Sequence, residues 1–465
     1  MSRTQISAFG VVGHRQIPSS QDKANAANDP NGGSNVSVLD QLPALSKWDP
    51  ETTGEGSLDP LGMGSIADRI ADHLAPGVRA RMRDPHFVAR IALSAVVVQE
   101  YSHLRSTDGT TRADIALEWN VLESMVRHQR DKLLSIPFPG SSKASRALAG
   151  DSRLSPATYL RGPRVFGFTG VYRPYCVDTG VLDAHGRPGE AARELVEAWE
   201  KDRGLEGFLN YDLSTEGGLL RRWIASSVEA SLRAGESRVE KHTVKAKELA
   251  EIILKVGEGP RVRALLRTQL FETSHVLRKE VVELIDRPPI AIDLADDRGV
   301  AEAIRPGASD ELARVLDAVT RFERLAVTMD NCFRSTLSTF RLITPEAIGE
   351  DGLLAAGASS IRRYADEAIA SVAAIDQLGT ELSERVAELV APVREAPGPV
   401  EFFDGLVNRH LAVQQTKGKS PWITDIEEGW VPRQIYREQP EPRDVDAWMH
   451  PYRLSTLYSF VEGTR

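Results

Sequence analysis

The chain has only two cysteines in 465 residues, Cys176 and Cys332, far apart. So few exclude a disulfide framework and a multi-cysteine zinc site, and they suit a reducing compartment. Long apolar runs are missing too. The run IALSAVVV at 91–98 falls far short of the roughly 20 residues that span a bilayer. The opening MSRTQISAFGVVGHRQ has no signal-peptide h-region. These absences predict a soluble, cytoplasmic protein without membrane association. Overall positive charge is also lacking. A net charge of −9 excludes coating a polyanion through whole-molecule charge, so any anionic partner has to meet a local basic patch.

Catalytic signatures are missing as well. Gly418-Lys419-Ser420 matches the tail of a P-loop, but Val413 stands where its first glycine belongs and FFDGLVNRHLAVQQ before it reads as a helix. Lys417 and Lys419 then read as a basic loop for a phosphate or a partner, and Trp422 beside it as core. Gly62 and Gly64 in DPLGMG lack the third glycine of a dinucleotide fingerprint, and Asp59 and Pro60 read as a helix cap. The ten histidines form no H-E-x-x-H, and His242 and Lys245 have the wrong spacing for an H-x-K phosphodiesterase. His73, His86 and His103 have no carboxylate spacing that makes a metal site. His410, on an apolar helix, reads as structural. Asp293, Asp296 and Asp297 lack the Glu-x-Lys strand of a nuclease and read as a solvated loop. Cys176 and Cys332 read as buried small residues. No catalytic residue, metal ligand or cofactor is therefore assigned.

What is present is helical periodicity. Ile66, Ile70 and Leu74 share one face ahead of an APG stop. A second helix is expected from Phe87 to about Leu104, and a third carries Ile115, Trp119, Leu122 and Val126. Residues 206–286 read as three or four more helices. The span 309–340 reads as a long amphipathic helix with Leu312, Val315, Leu316, Val319, Phe322 and Leu325 on one face, and 359–393 looks similar. The paired prolines and short apolar run in 286–299 suggest one strand. The fold class is mainly α and multi-domain. The expected divisions are a flexible segment 1–57, helical 58–112, a winged-helix-like module 113–205, a helical domain 206–395 and a C-terminal region 396–465.

The module at 113–205 carries the strongest functional signal. Ser155-Pro156 is an N-cap and N1 signature. FTGVYRPYCVDTGVL is a helix that Pro174 should kink or split. LDAHGRPG is a tight turn suited to a small hairpin, and EAARELVEAWEKD places Ala192, Leu195, Val196 and Trp199 on one helical face. Between Arg127 and Arg173 lie Arg127, Arg130, Lys132, Lys143, Arg146, Arg153, Arg161, Arg164 and Arg173 against only Asp131 and Asp151. Arginine suits phosphate through its planar fork of donors. Lys143, Arg146, Arg153, Arg161, Arg164 and Arg173 are the candidate nucleic-acid contacts. The same module can equally serve as a scaffold with a solvated basic face.

LDPLGMGSIADRIADHLAPGVRARMRDPHF resembles the N-terminal pattern of uncharacterised proteins from prokaryotic antiphage-defence islands. HLAVQQTKGKSPWI at 410–423 and HPYRLSTLYSF at 450–460 resemble their C-terminal part. The resemblance covers about a quarter of the chain. It implies a subunit that acts beside a helicase, nuclease or ATPase partner, and it carries no catalytic residues across. The expected function is thus a non-enzymatic, DNA-contacting or scaffolding subunit of an antiphage-defence complex. The alternatives are a metal-dependent nuclease and a winged-helix transcriptional regulator.

Overall fold

Asp59 caps the first helix of the described residues. Its carboxylate accepts the N–H groups of Met63 (2.9 Å) and Gly64 (3.1 Å), two of the donors that a helix start leaves without partners. Helix α1 (Gly64–Leu74) follows, with Ile66, Ile70 and Leu74 buried as their spacing predicts. In this computed structural model the described residues are 59–135, 138–150, 152–162, 167–239, 244–287 and 296–465. The expected flexible segment 1–57 and most of the strand expected at 286–299 lie outside them.

The protein is mainly helical: helix makes up 65% of the described residues, against one two-stranded sheet among them. The first half contains α2 (His86–Val98), α3 (Ala113–His128), α4 (Arg130–Ser135), α5 (Ser141–Ala147) and α6 (Phe168–Asp178). It continues through α7 (Glu190–Arg203), α8 (Glu216–Ala234), α9 (Val244–Lys255), α10 (Pro260–Phe271), α11 (Val276–Asp286) and α12 (Asp297–Ile304). Helices α2, α4, α5, α6, α8 and α9 pack around α3, while α7 packs on α2 and α10.

The second half is built on α13 (Asp310–Thr339), which starts on a Ser309 side-chain cap with Asp310 and Glu311 in its first turn. After α14 (Pro345–Glu350) come α15 (Gly352–Ala373), α16 (Gly379–Arg394) and α17 (Pro399–Lys417). An antiparallel hairpin, β1 (Ile423–Ile426) and β2 (Gly429–Pro432), and α18 (Leu454–Thr464) complete the chain. Two helices stitch the halves together. Helix α1 packs on α11, α13 and α16, and α18 returns to α10, α11 and α12. Gly54–Arg465 is one compact unit. The boundaries expected near 112, 205 and 395 lie inside it, and apolar side chains from either side of each share one connected core.

Two local expectations change. The helix expected over 359–393 is a helical hairpin, α15 and α16. Gln377 takes a left-handed φ of +69°, and Gly379 sits so close to the end of α15 that a Cβ there would meet the Ala373 oxygen at 2.3 Å. The apolar face of α13 is spent inside the bundle, as its spacing implies: Leu312, Val315, Leu316, Val319, Phe322 and Leu325 are buried and α13 packs along α15. Pro174, expected to kink or split its helix, sits inside a continuous α6. Val171, Tyr172 and Tyr175 anchor that helix in the core, Tyr172 stacked on Phe87 and Tyr175 edge-on to Phe460, so packing outweighs the lost backbone bond.

His410 ties the N-terminal turn to the C-terminal hairpin. The Trp422 N–H donates to Nε2 (2.9 Å), so the ring proton is on Nδ1, which donates to the Pro60 carbonyl (3.0 Å). Burial, only partly offset by the Pro60 bond, lowers its pKa from 6.5 to about 4. The unfolded chain binds more protons between those values. The His410 contribution is therefore fully present above about pH 6.5 and is lost as pH falls toward 4. A glutamine can both donate to Pro60 and accept from Trp422 without titrating. The stability advantage of wild type over His410→Gln should shrink by about 2 kcal/mol between pH 8 and pH 5. Urea unfolding at both pH values measures it, and a pH-independent difference would show that the ring is not held neutral.

Candidate nucleic-acid interface

Backbone alternation positions the first part of the basic surface. In Arg81-Met82-Arg83, Met82 is fully buried while both arginines face solvent. The next residue locks this segment. Asp84 Oδ2 accepts Arg90 Nη1 (2.8 Å), Oδ1 accepts the His86 N–H (2.9 Å), and the Asp84 N–H donates to the Tyr172 hydroxyl (3.1 Å). Burial alone would raise the pKa of Asp84; the His86 hydrogen bonds and the Arg90 charge overcome it and hold the carboxyl far below the usual range. Arg90 itself is 3% exposed, donates to the carbonyls of Ile253 and Leu254, and lies 4.4 Å over the Phe87 ring.

The second part comes from the loop Phe138-Pro139-Gly140 and α5. Gly140 adopts φ +91°, which turns the chain sharply into α5. Lys143 and Arg146 lie one turn apart on α5, and the Lys143 ammonium is 5.9 Å from the Tyr159 ring. Arg81, Arg83, Lys143 and Arg146 line one cleft of about 350 Å³, floored by Phe138 and Val171 and edged by Ser141 and Ser142. Among the described residues no carboxylate lines it. Two segments about 60 positions apart thus pool four cations in a chain that is acidic overall.

The other candidates are distributed differently. Arg161 is exposed, two residues beyond Tyr159. Arg164 and Lys132 (by its side chain) lie outside the described residues. Arg153 is engaged within the fold: Nη1 donates to the carbonyls of Ser237 (3.0 Å) and Val239 (2.7 Å) and lies 3.8 Å from Glu123. Arg173 donates to the Ala184 carbonyl (2.9 Å). Lys417 closes the C-terminal end of α17 and donates to the Asp59 carbonyl (2.7 Å), while Lys419 follows the Gly418 cap on the way to the hairpin. The P-loop reading ends there, because Lys417-Gly418 is a helix terminus. Trp422 is core, stacked on Tyr436 at 4.6 Å. Asp296 is exposed and caps α12, whereas Asp297 is buried and accepts the N–H groups of Arg453 and Ser455, so Asp297 does not belong to a solvated loop. Asp293 lies outside the described residues. Among the described residues no group of three His, Cys, Asp or Glu side chains is placed to hold a metal ion. Arg81 and Arg83 were missed from sequence. Their signal was the R-x-R alternation around a buried methionine, which is weak without knowing what α5 brings beside it.

At 168–203 helix α6 leads through a turn to α7, and the turn contains one antiparallel bridge, Leu182 to Pro188. That bridge is the whole of the strand pairing among the described residues of 113–205.

Glu118 holds the segment behind the cleft. The Tyr159 hydroxyl (2.9 Å) and the Thr169 N–H (3.1 Å) both donate to its fully buried carboxylate. Burial raises its pKa to about 7 against the opposing bonds from Thr169 and Tyr159. Gly167 passes so close that a Cβ there would lie 1.9 Å from Oε1, whereas a Cβ on Gly162 meets nothing within 4 Å. Gly167→Ala should therefore destabilise the protein by about 2 kcal/mol or more, and Gly162→Ala by well under 1 kcal/mol. Thermal denaturation of the two variants checks this; equal melting temperatures would mean that the carboxylate can move aside freely.

Comparison with family models, curated proteins and solved structures gives no match to this chain.

Proposed function

We propose that the protein is a non-enzymatic subunit that holds the phosphate backbone of DNA in the cleft between Arg81, Arg83, Lys143 and Arg146. The observation that carries this reading is the charge of the cleft: four cations and, among the described residues, no carboxylate, in a chain of net charge −9. Phosphate contacts position a protein on nucleic acid without reading sequence, and they need arginine and lysine forks rather than a catalytic constellation. The exposed Arg161 extends the same basic character. The winged-helix reading of 113–205 is a narrower part of the proposal, supported by the helix, bridged turn and helix at 168–203. The setting, a cytoplasmic antiphage-defence assembly with a helicase, nuclease or ATPase partner, rests on the resemblance of the DPLG…APG and KGKSPW segments. No helix among the described residues is long and apolar enough to cross a membrane.

The test is fluorescence anisotropy of labelled duplex DNA over a salt series. Wild type should bind with steep salt dependence. Replacing Arg81, Arg83, Lys143 and Arg146 together by alanine should reduce the slope of log K against log salt by about 3 to 4, near 0.9 per lost phosphate contact. Arg81, Arg83 and Arg146 are exposed, so their loss should leave the melting temperature close to wild type. A cleft variant with wild-type binding would overturn the site, and a parallel Arg161, Arg164 and Arg173 to alanine variant would then locate it. No binding by wild type at low salt would overturn the DNA reading.

A further inference from the structure

A second basic cavity, separate from the cleft, is built around the turn at 183–188. It measures about 490 Å³ and lies between the C-terminal end of α2, the start of α3 and that turn. The turn is rigid. Asp183 Oδ1 accepts the N–H groups of His185 and Arg187 (both 2.8 Å), Oδ2 accepts Arg187 Nε (2.9 Å), and Arg173 donates to the Ala184 carbonyl. Gly186, at φ +83°, lets two guanidinium groups converge. A Cβ there would meet Arg173 Nη1 at 2.6 Å and Arg112 Nη2 at 2.9 Å. Two like charges within about 6 Å of one another repel, and an anion beside them reverses that cost. Asp114 offsets part of it by accepting Arg112 Nε at 3.1 Å. Arg105 and Arg187 add two more cations to the lining.

The remaining lining defines what accompanies the charge. Gln99, Ser102 and Asp114 offer hydrogen-bonding groups for hydroxyls, and Ala95, Val98 and Pro188 form apolar wall. The one ring among its described lining residues is the imidazole of His185, and no Phe, Tyr or Trp there adds a wider stacking platform for a base. The volume is in the range of small-molecule sites and exceeds what a bare phosphate fills. We infer that this cavity binds a small phosphate monoester with a hydroxylated body, its phosphate held by Arg112, Arg105 and Arg187 and its hydroxyls by Asp114, Gln99 and Ser102. This site does not depend on the DNA cleft, since the two share no lining residue.

Isothermal titration of the full chain with glycerol 3-phosphate, ribose 5-phosphate and inorganic phosphate tests it. The two esters should bind saturably and more tightly than inorganic phosphate. Arg187→Ala and Arg105→Ala, both on exposed side chains, should each weaken ester binding by about tenfold or more; Arg105→Ala should leave the melting temperature unchanged, and Arg187→Ala, which also loses an exposed pair with Asp183, should lower it only slightly. The Lys143→Ala, Arg146→Ala double variant should bind the esters as wild type does. No ester binding at 10-millimolar ligand (~10 mM, beyond the weakest useful affinity), or binding that neither arginine variant weakens, overturns the inference. Displacement of the esters by duplex DNA would also overturn it, because the cavity would then be part of a polyanion surface.

Discussion

A helix buried on every side has to find partners for the carboxylates and amides it carries, and α3 is that helix here. From Ala113 to Met125 only Asp114 escapes full burial, yet the span includes Glu118, Asn120, Glu123 and Ser124. Each of the first three is answered from a different part of the chain. Glu118 receives Tyr159 and Thr169, and Glu123 receives Arg127 and the Leu154 N–H. Asn120 Oδ1 receives the hydroxyls of Ser231 and Ser237. A buried polar group left unpaired costs about 1–3 kcal/mol, so these partners hold α8 and the segments around 154–169 and 237 against α3.

That constraint reaches the basic surface indirectly. Tyr159, which answers Glu118, also lies beneath the Lys143 ammonium. Arg153, drawn inward by Glu123 and the carbonyls of Ser237 and Val239, is spent on the same framework. The division of labour among the arginines follows from where buried carboxylates and carbonyls stand. Arg90 and Arg153 satisfy interior acceptors, and the buried Arg278 turns to the Pro76 carbonyl and pairs with Asp178 at 2.7 Å. Arg81, Arg83 and Arg146 are left at the surface. The Gly186 turn applies the same economy at the second cavity, where the missing Cβ makes room for Arg112 and Arg173 together.

Much of the fold was legible because helical spacing reports burial locally. The buried faces of α1, α7 and α13 match the residues their periodicity singled out, and His410 and Trp422 are core as their apolar surroundings implied. Helix α3 was legible only on one side. Ile115, Trp119 and Leu122 marked a core face, while nothing in the spacing marked Glu118, Asn120 and Glu123 as buried. Apart from Arg127, one turn on from Glu123, their partners lie 31 to 118 positions away, and no local pattern carries that information. Part of the candidate site was visible in the same limited way. Lys143 and Arg146 stood out in a run of basic residues, whereas Arg81 and Arg83 belong with them only because Asp84, Arg90 and Tyr172 set their segment beside α5.

By itself the sequence determined the helical class, the placement of most helices, and the absence of a P-loop at Gly418, because these depend on spacing, capping and backbone freedom within a few residues. Tertiary structure alone decided which cations share a cleft, which arginines turn inward and where α15 folds back as α16. Those outcomes depend on long-range packing and on satisfying buried charge, and both compare groups that are distant in the chain.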